Sequence, residues 1–223
     1  MKNFKLILIL FLSATGINVN AQQDPHFTQY FDNTLFYNPA YAGSRDMLNV
    51  TAIHREQWAG VDGRPRSTTL SIHSPLPYES IGVGITAVND MAGPIRQTII
   101  SGDISYSLRF KNKTKLSFGV KAGVNLLGFD RDKLYNAGNP VSALQQIENR
   151  ANPNVGFGIL YHGPKFFFGV STPKLIQNTY DGTDFNKEKR HYFATLGYIF
   201  KLHDKWKLRP SAQFKITEGA PFS

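Results

Sequence analysis

The 223-residue chain has no cysteine. That excludes disulfide scaffolds, Cys-ligated zinc, iron–sulfur clusters and thiol catalysis, and it removes cysteine usage as a guide to compartment. Charged residues are scarce at 18%, below the usual ~25%, while aromatics reach 13% and glycine 19 residues. Such a composition is neither disordered nor coiled-coil. After the first twenty or so positions no run of about 18 apolar residues occurs, which excludes a bundle of membrane helices. A membrane β-barrel is not excluded, because each of its strands carries an apolar face on one side only. The length suits one all-β domain of about 200–250 residues. The formal net charge of +9 is spread over the whole chain instead of gathered into a run, so it does not point to nucleic acid.

The N-terminus addresses the compartment. Lys2 and Lys5 form a basic start, Leu6 to Leu12 an apolar core, and Val19-Asn20-Ala21 a small-residue cleavage site. Thr15, Gly16, Asn18 and Asn20 interrupt the apolar stretch too early for an anchor helix. Residues 1–21 therefore read as a secretory signal peptide, with the mature chain starting near Gln22. No cysteine follows to make a lipoprotein.

The mature chain alternates with the period of strands. From Lys115, apolar residues fall at 116, 118, 120, 122, 124 and 126 with polar residues or glycine between them. Ile100 to Phe110, Tyr192 to Leu202 and Trp206 to Ile216 repeat the pattern. Shorter candidates are Leu48 to Arg55, Arg66 to His73, Ser80 to Asn89, Val155 to His162 and Lys165 to Ser171, which makes nine in all. Strands near ten residues, with Tyr106, Phe110, Tyr161, Tyr192, Tyr198 and Trp206 near their ends on the apolar face, favour a membrane barrel over a secreted sandwich. Pro210 inside the last strand is the one local conflict. The connections Lys111–Lys113 and Asp130–Asn154 differ in length as the two rims of a barrel do. In this reading Val120 faces lipid, and Lys121, facing the lumen, tolerates a change of charge better.

No pattern of catalysis or metal binding stands out. His26, His54, His73, His162, His191 and His203 are scattered, without ligand spacing. Gly169-Val-Ser-Thr-Pro173 lacks the second glycine of a nucleophile elbow. Gly82-x-Gly84 and Gly156-x-Gly158 read as small residues on a crowded barrel face. Asp130, Asp132, Asp181 and Asp184 sit in long loops without a calcium-loop pattern. The expectation is no catalytic residue, no cofactor and no metal.

Local motifs add what periodicity does not. Gln22 to Tyr30, then Tyr37-Asn38-Pro39-Ala40-Tyr41-Ala42-Gly43, then Arg55-Glu56-Gln57-Trp58-Ala59-Gly60-Val61-Asp62-Gly63-Arg64-Pro65 open the mature chain. Asn89-Asp90 with Gly93, Pro153 to Gly158, Ser171 to Leu175 and Arg190-His191-Tyr192 follow. Together these blocks resemble the PorP/SprF family of the type IX secretion and gliding machinery of Bacteroidetes. The resemblance implies a non-enzymatic outer-membrane component that anchors the periplasmic ring proteins and a peptidoglycan-binding lipoprotein, and assists export of a cargo protein. Its signature positions here are Asn38, Pro39, Ala40, Tyr41, Ala42, Gly43, Arg55, Gln57, Trp58, Gly60, Gly63, Pro65, Asn89, Asp90 and Gly93. Asn38-Pro39 and Ala42-Gly43 also read as turn chemistry, and Trp58 as an interfacial anchor on the first strand.

The expected organisation is a signal peptide (1–21), an N-terminal extension carrying the signature (22–46) and barrel strands (47–223). The expected fold is an all-β, antiparallel up-and-down outer-membrane β-barrel. Family members continue with further strands after a block like Lys215 to Pro221, and bacterial single-chain barrels have even strand numbers. The expectation is thus an incomplete, C-terminally truncated barrel, with a gap between its first and last strands. Two other functions stay open: a generic porin, and a barrel hydrolase or acyltransferase using Ser171 or His191.

Overall fold

The computed structural model describes residues 32–77, 80–129, 150–178, 189–203 and 206–217. The expected signal peptide (1–21), the Gln22 to Tyr30 block, Asp130, Asp132, Asp181, Asp184, the Asp204-Lys205 turn and residues 218–223 lie outside them. Among the described residues eleven strands follow one another: β1 (Asn49–Glu56), β2 (Arg66–Pro75), β3 (Ile81–Ala92), β4 (Ile95–Arg109), β5 (Lys115–Phe129), β6 (Arg150–His162), β7 (Phe166–Thr172), β8 (His191–Tyr198), β9 (Phe200–His203), β10 (Trp206–Leu208) and β11 (Ser211–Thr217).

Nine of these form a single sheet in the order β1-β2-β3-β4-β5-β6-β7-β8-β11, every neighbouring pair antiparallel, while β9 and β10 pair as a short hairpin. This is the up-and-down meander expected. Among the described residues β1 and β11 are each paired on one side only, so the sheet is an open half-barrel with the expected gap between its first and last strands. Paired positions climb steadily across it: Asn49 pairs with His73, His73 with Gly84, Gly84 with Asp103, Asp103 with Lys121 and Lys121 with Gly156. That row starts at the first residue of β1 and reaches the middle of β6, the stagger of strands tilted for a barrel.

Alternation sorts the side chains in the opposite sense to a soluble protein. Ile85, Ile104, Val120, Phe157, Val170, Leu196 and Phe214 are exposed on the convex face. Their neighbours Thr86, Ser101, Asp103, Ser105, Lys121, Ser171, Thr195 and Lys215 are buried on the concave one. A convex face of this kind is stable against hydrocarbon and unstable against water. Among the described residues no helix is long and apolar enough to cross a membrane.

Prolines explain where strand limits depart from those read in the sequence. β6 starts at Arg150 instead of Val155, with Pro153 inside it, opposite Val124 of β5. The Pro153 carbonyl accepts from Asn178 Nδ2, so it points away from β5, and the proline nitrogen on that same side costs no bond to β5. β7 has already ended at Thr172. β4 likewise starts at Ile95, after the tight Gly93-Pro94 turn. Conversely, the strands expected over Tyr192 to Leu202 and Trp206 to Ile216 each break, at Ile199 and at Arg209-Pro210. Pro210 cannot donate to the ladder, and its carbonyl instead accepts from the Tyr198 amide at 3.1 Å.

The concave face is occupied by the N-terminal segment. It contains one helical turn, α1 (Thr34–Tyr37), and a 3-10 turn over Pro39–Tyr41.

Candidate functional site: a signature segment seated on the concave face

Asn38 organises the segment. Its Oδ1 accepts from the Ala40 amide at 2.9 Å, capping the 3-10 turn whose first residue is Pro39, and its Nδ2 donates to the Ile159 carbonyl of β6 at 3.1 Å. One side chain thus shapes the turn and ties it to the sheet. Further bonds follow along the segment. Ser71 Oγ donates to Asn33 Oδ1 at 2.8 Å, Ser105 Oγ to the Ala42 carbonyl at 2.7 Å, and the Gly43 amide to His73 Nδ1 at 3.2 Å. Gly43 has φ +66, a left-handed conformation that glycine adopts without strain. Asp46 then meets Lys115 Nζ at 2.6 Å and Arg109 at 3.2 Å, at the end of the sheet where the turns are short.

The sheet is cut to fit. A Cβ on Gly119 would collide with the backbone of Pro39 and Ala40, one on Gly158 with Asn38, and one on Gly82 with the Ala42 carbonyl. The crowding expected around Gly82-x-Gly84 and Gly156-x-Gly158 is present, and Gly82 and Gly158, like Gly119, owe it to residues 38–42. At Gly156 the crowding backbone is that of Pro173.

Lys121 corrects one expectation. It does face the concave side, but it is only 6% exposed, and its Nζ donates to the carbonyls of Leu35 at 3.0 Å and Phe36 at 2.8 Å. Asp103 lies 3.4 Å away on β4. The tolerance expected of Lys121 assumed a water-filled lumen, whereas the N-terminal segment covers it. Beside it a cavity of about 40 Å³, lined by Phe36, Tyr37, Asn125, Asn154 and Phe193, has room for a few waters.

The remaining signature positions gather elsewhere. β1 and β2 bring Gln57 to Pro65, amide to carbonyl at 3.0 Å, and the Gly93 amide of the β3–β4 turn donates to the Gly63 carbonyl at 2.8 Å. Glu56 pairs with Arg64 and, at 3.0 Å, with Arg66, while Ser67 donates to Asp90. Thr98 donates to Asn89 at 3.4 Å. Arg55 lies in register with Ser67. Gly60, Gly63 and Gly93 all have positive φ, as does Trp58, so the loop 57–65 is a folded rim element. Trp58 lies beyond β1, in this loop and not on the strand, and is 72% exposed. The signature therefore divides into two sites: Asn38 to Gly43 on the concave face, and residues 55–65 with 89–93 at the rim.

The residues considered for hydrolysis do not face each other in register. Ser171 pairs with Phe193, and His191 Nδ1 lies 2.9 Å from Thr217 Oγ1. Among the described residues no group of three His, Asp or Glu side chains could hold a metal.

An apolar convex face, tilted antiparallel strands in sequential order and a polar concavity filled by the chain's own N-terminal segment define a plugged, membrane-type β-barrel architecture. The family model of the type IX secretion system membrane protein PorP/SprF matches residues 19–223, and the chain belongs to that family. No curated protein and no solved structure matches the chain. It is thus a membrane component of type IX secretion. Neither signature site was located by periodicity, which carries no information on what covers a strand's polar face.

Proposed function

We propose that the protein is a non-enzymatic outer-membrane component of the type IX machinery that anchors the periplasmic ring and assists export of cargo, and that it does not conduct solutes. Its signal peptide, residues 1–21, directs export, and residues 32–46 act as an internal plug for the strands that follow. The short-turn end faces the periplasm and the long-loop end the outside, by analogy with other outer-membrane barrels. The observation that carries this reading is the occupation of the concave face by Asn38 to Gly43, the most specific stretch of the family signature. A passive porin needs that space for water. The rim formed by residues 55–65 and 89–93, with Trp58 exposed, offers a second, rigid surface for partners.

The test combines crosslinked co-purification from source membranes with planar-bilayer recording. Recovery of periplasmic ring proteins together with silent bilayers is the expected result. Steady open-channel conductance from the intact protein, without any secretion partner recovered, would establish the porin reading instead.

A further inference from the structure

The β9–β10 hairpin carries a like-charge pair that nothing among the described residues explains. Lys207 lies directly opposite Lys201, an arrangement that destabilises a two-stranded ribbon. Both side chains are exposed, as are those of Lys165 and Arg209. Backbone bonds gather the four: the Ile199 amide donates to the Lys165 carbonyl at 2.6 Å and the Tyr198 amide to the Pro210 carbonyl at 3.1 Å. Among the described residues Lys165, Lys201 and Lys207 have no ion-pair partner.

The direction of these cations selects the ligand. The Tyr198 and Phe200 rings lie 4.6 Å apart, and Leu208 is the partner of Phe200, so the apolar residues of the hairpin continue the convex, lipid-side face. Lys201 and Lys207 alternate with them and fall on the concave side. Arg209 is placed there independently, its guanidinium 5.5 Å from the ring of Phe167, which packs over Gly197. Lipid phosphates approaching from the bilayer would meet aromatics. Whatever meets the cations enters the mouth of the half-barrel from the short-turn end.

We infer that this mouth binds an extended acidic segment of a periplasmic protein, held by Lys201, Lys207 and Arg209 with Lys165 beside them. The inference rests on the proposed orientation, in which the short-turn end is periplasmic. A like-charge pair retained at a cost in hairpin stability is what a site for an opposite charge requires.

The full chain in nanodiscs of zwitterionic lipid, titrated with a fluorescent polyglutamate peptide, tests it. Saturable binding is expected, weakened by salt and lowered roughly tenfold or more by Lys201→Gln with Lys207→Gln. Lys207→Glu should abolish binding while raising the thermal midpoint, because it turns a repulsive cross-strand pair into an attractive one. That opposite movement separates a binding site from a merely structural one. Peptide binding that is absent, indifferent to these substitutions, or displaced by phosphatidylglycerol vesicles overturns the inference, the last outcome assigning the cations to lipid. Since no secretion partner is used, failure here leaves the co-purification test of the proposed function standing.

Discussion

Replacing Lys121 by methionine removes the charge and keeps most of the side-chain volume, and three interactions change at once. The bonds to the carbonyls of Leu35 and Phe36 disappear, and Asp103, itself buried, loses its cation. Breaking a buried pair by deleting one partner costs about 3–5 kcal/mol, mostly for the charge left behind. Adding Asp103→Asn removes that stranded charge. The double variant should then lose only the two anchoring bonds, without the added cost of a stranded charge. The double variant is therefore more stable than Lys121→Met alone, with a favourable coupling of about 1–2 kcal/mol in the cycle. Urea titration of detergent-folded protein gives the stabilities, and limited proteolysis across residues 32–46 reports whether the N-terminal segment has left the sheet. Cleavage in that segment should accelerate in Lys121→Met before the strands are cut. Simple additivity of the two substitutions, with the segment as protected as in the parent, would refute the anchoring role of Lys121.

Val120→Arg, at a convex position 56% exposed, places a cation in hydrocarbon and should cost about 2–4 kcal/mol in the same titration. Lys121→Glu should be of similar severity, because the face opposite Val120 is covered instead of wet. Gly119→Val drives side-chain atoms into the backbone of Pro39 and Ala40 and should expose the N-terminal segment to protease while the sheet still forms, measured as a shift in the first cleavage product. Trp58→Ala, at an exposed rim position, should change stability by less than about 0.5 kcal/mol yet reduce crosslinked partner recovery. A large stability loss would make Trp58 a packing residue. Cell fractionation should recover the mature chain with the outer membrane, starting near Gln22, and a cytosolic pool retaining Met1 would contradict the signal peptide.

The nine strands of the main sheet and their faces were legible in the sequence because both follow from a local rule. A residue's parity decides its face, and parity survives unchanged from Lys115 to Leu126 whatever else the chain does. Limits were less legible wherever proline occurred, since its effect depends on which side its missing donor would have faced. At Pro153 that side has no strand from β7, and at Pro210 the ladder breaks. No sequence window holds that distinction.

The plug was illegible for a different reason. Its hydrogen bonds join positions such as Asn38 with Ile159 and Ala42 with Ser105, far apart in the chain and sharing no period. A trace of it was nevertheless present. Gly82, Gly119 and Gly158 all fall at polar-face parity, on three different strands, where a wet lumen would call for polar side chains and no loss of Cβ. Glycine weakens a strand by roughly 0.5–1 kcal/mol relative to alanine. Repeating that cost on the inward face makes physical sense only if another backbone must approach there, and Asn38 to Ala42 supply it. Lys121 on that face follows the same logic. In an open channel Lys121 would be hydrated, but under the segment it finds two carbonyls and Asp103, so inward glycines and an inward cation together indicate a lumen filled by polypeptide.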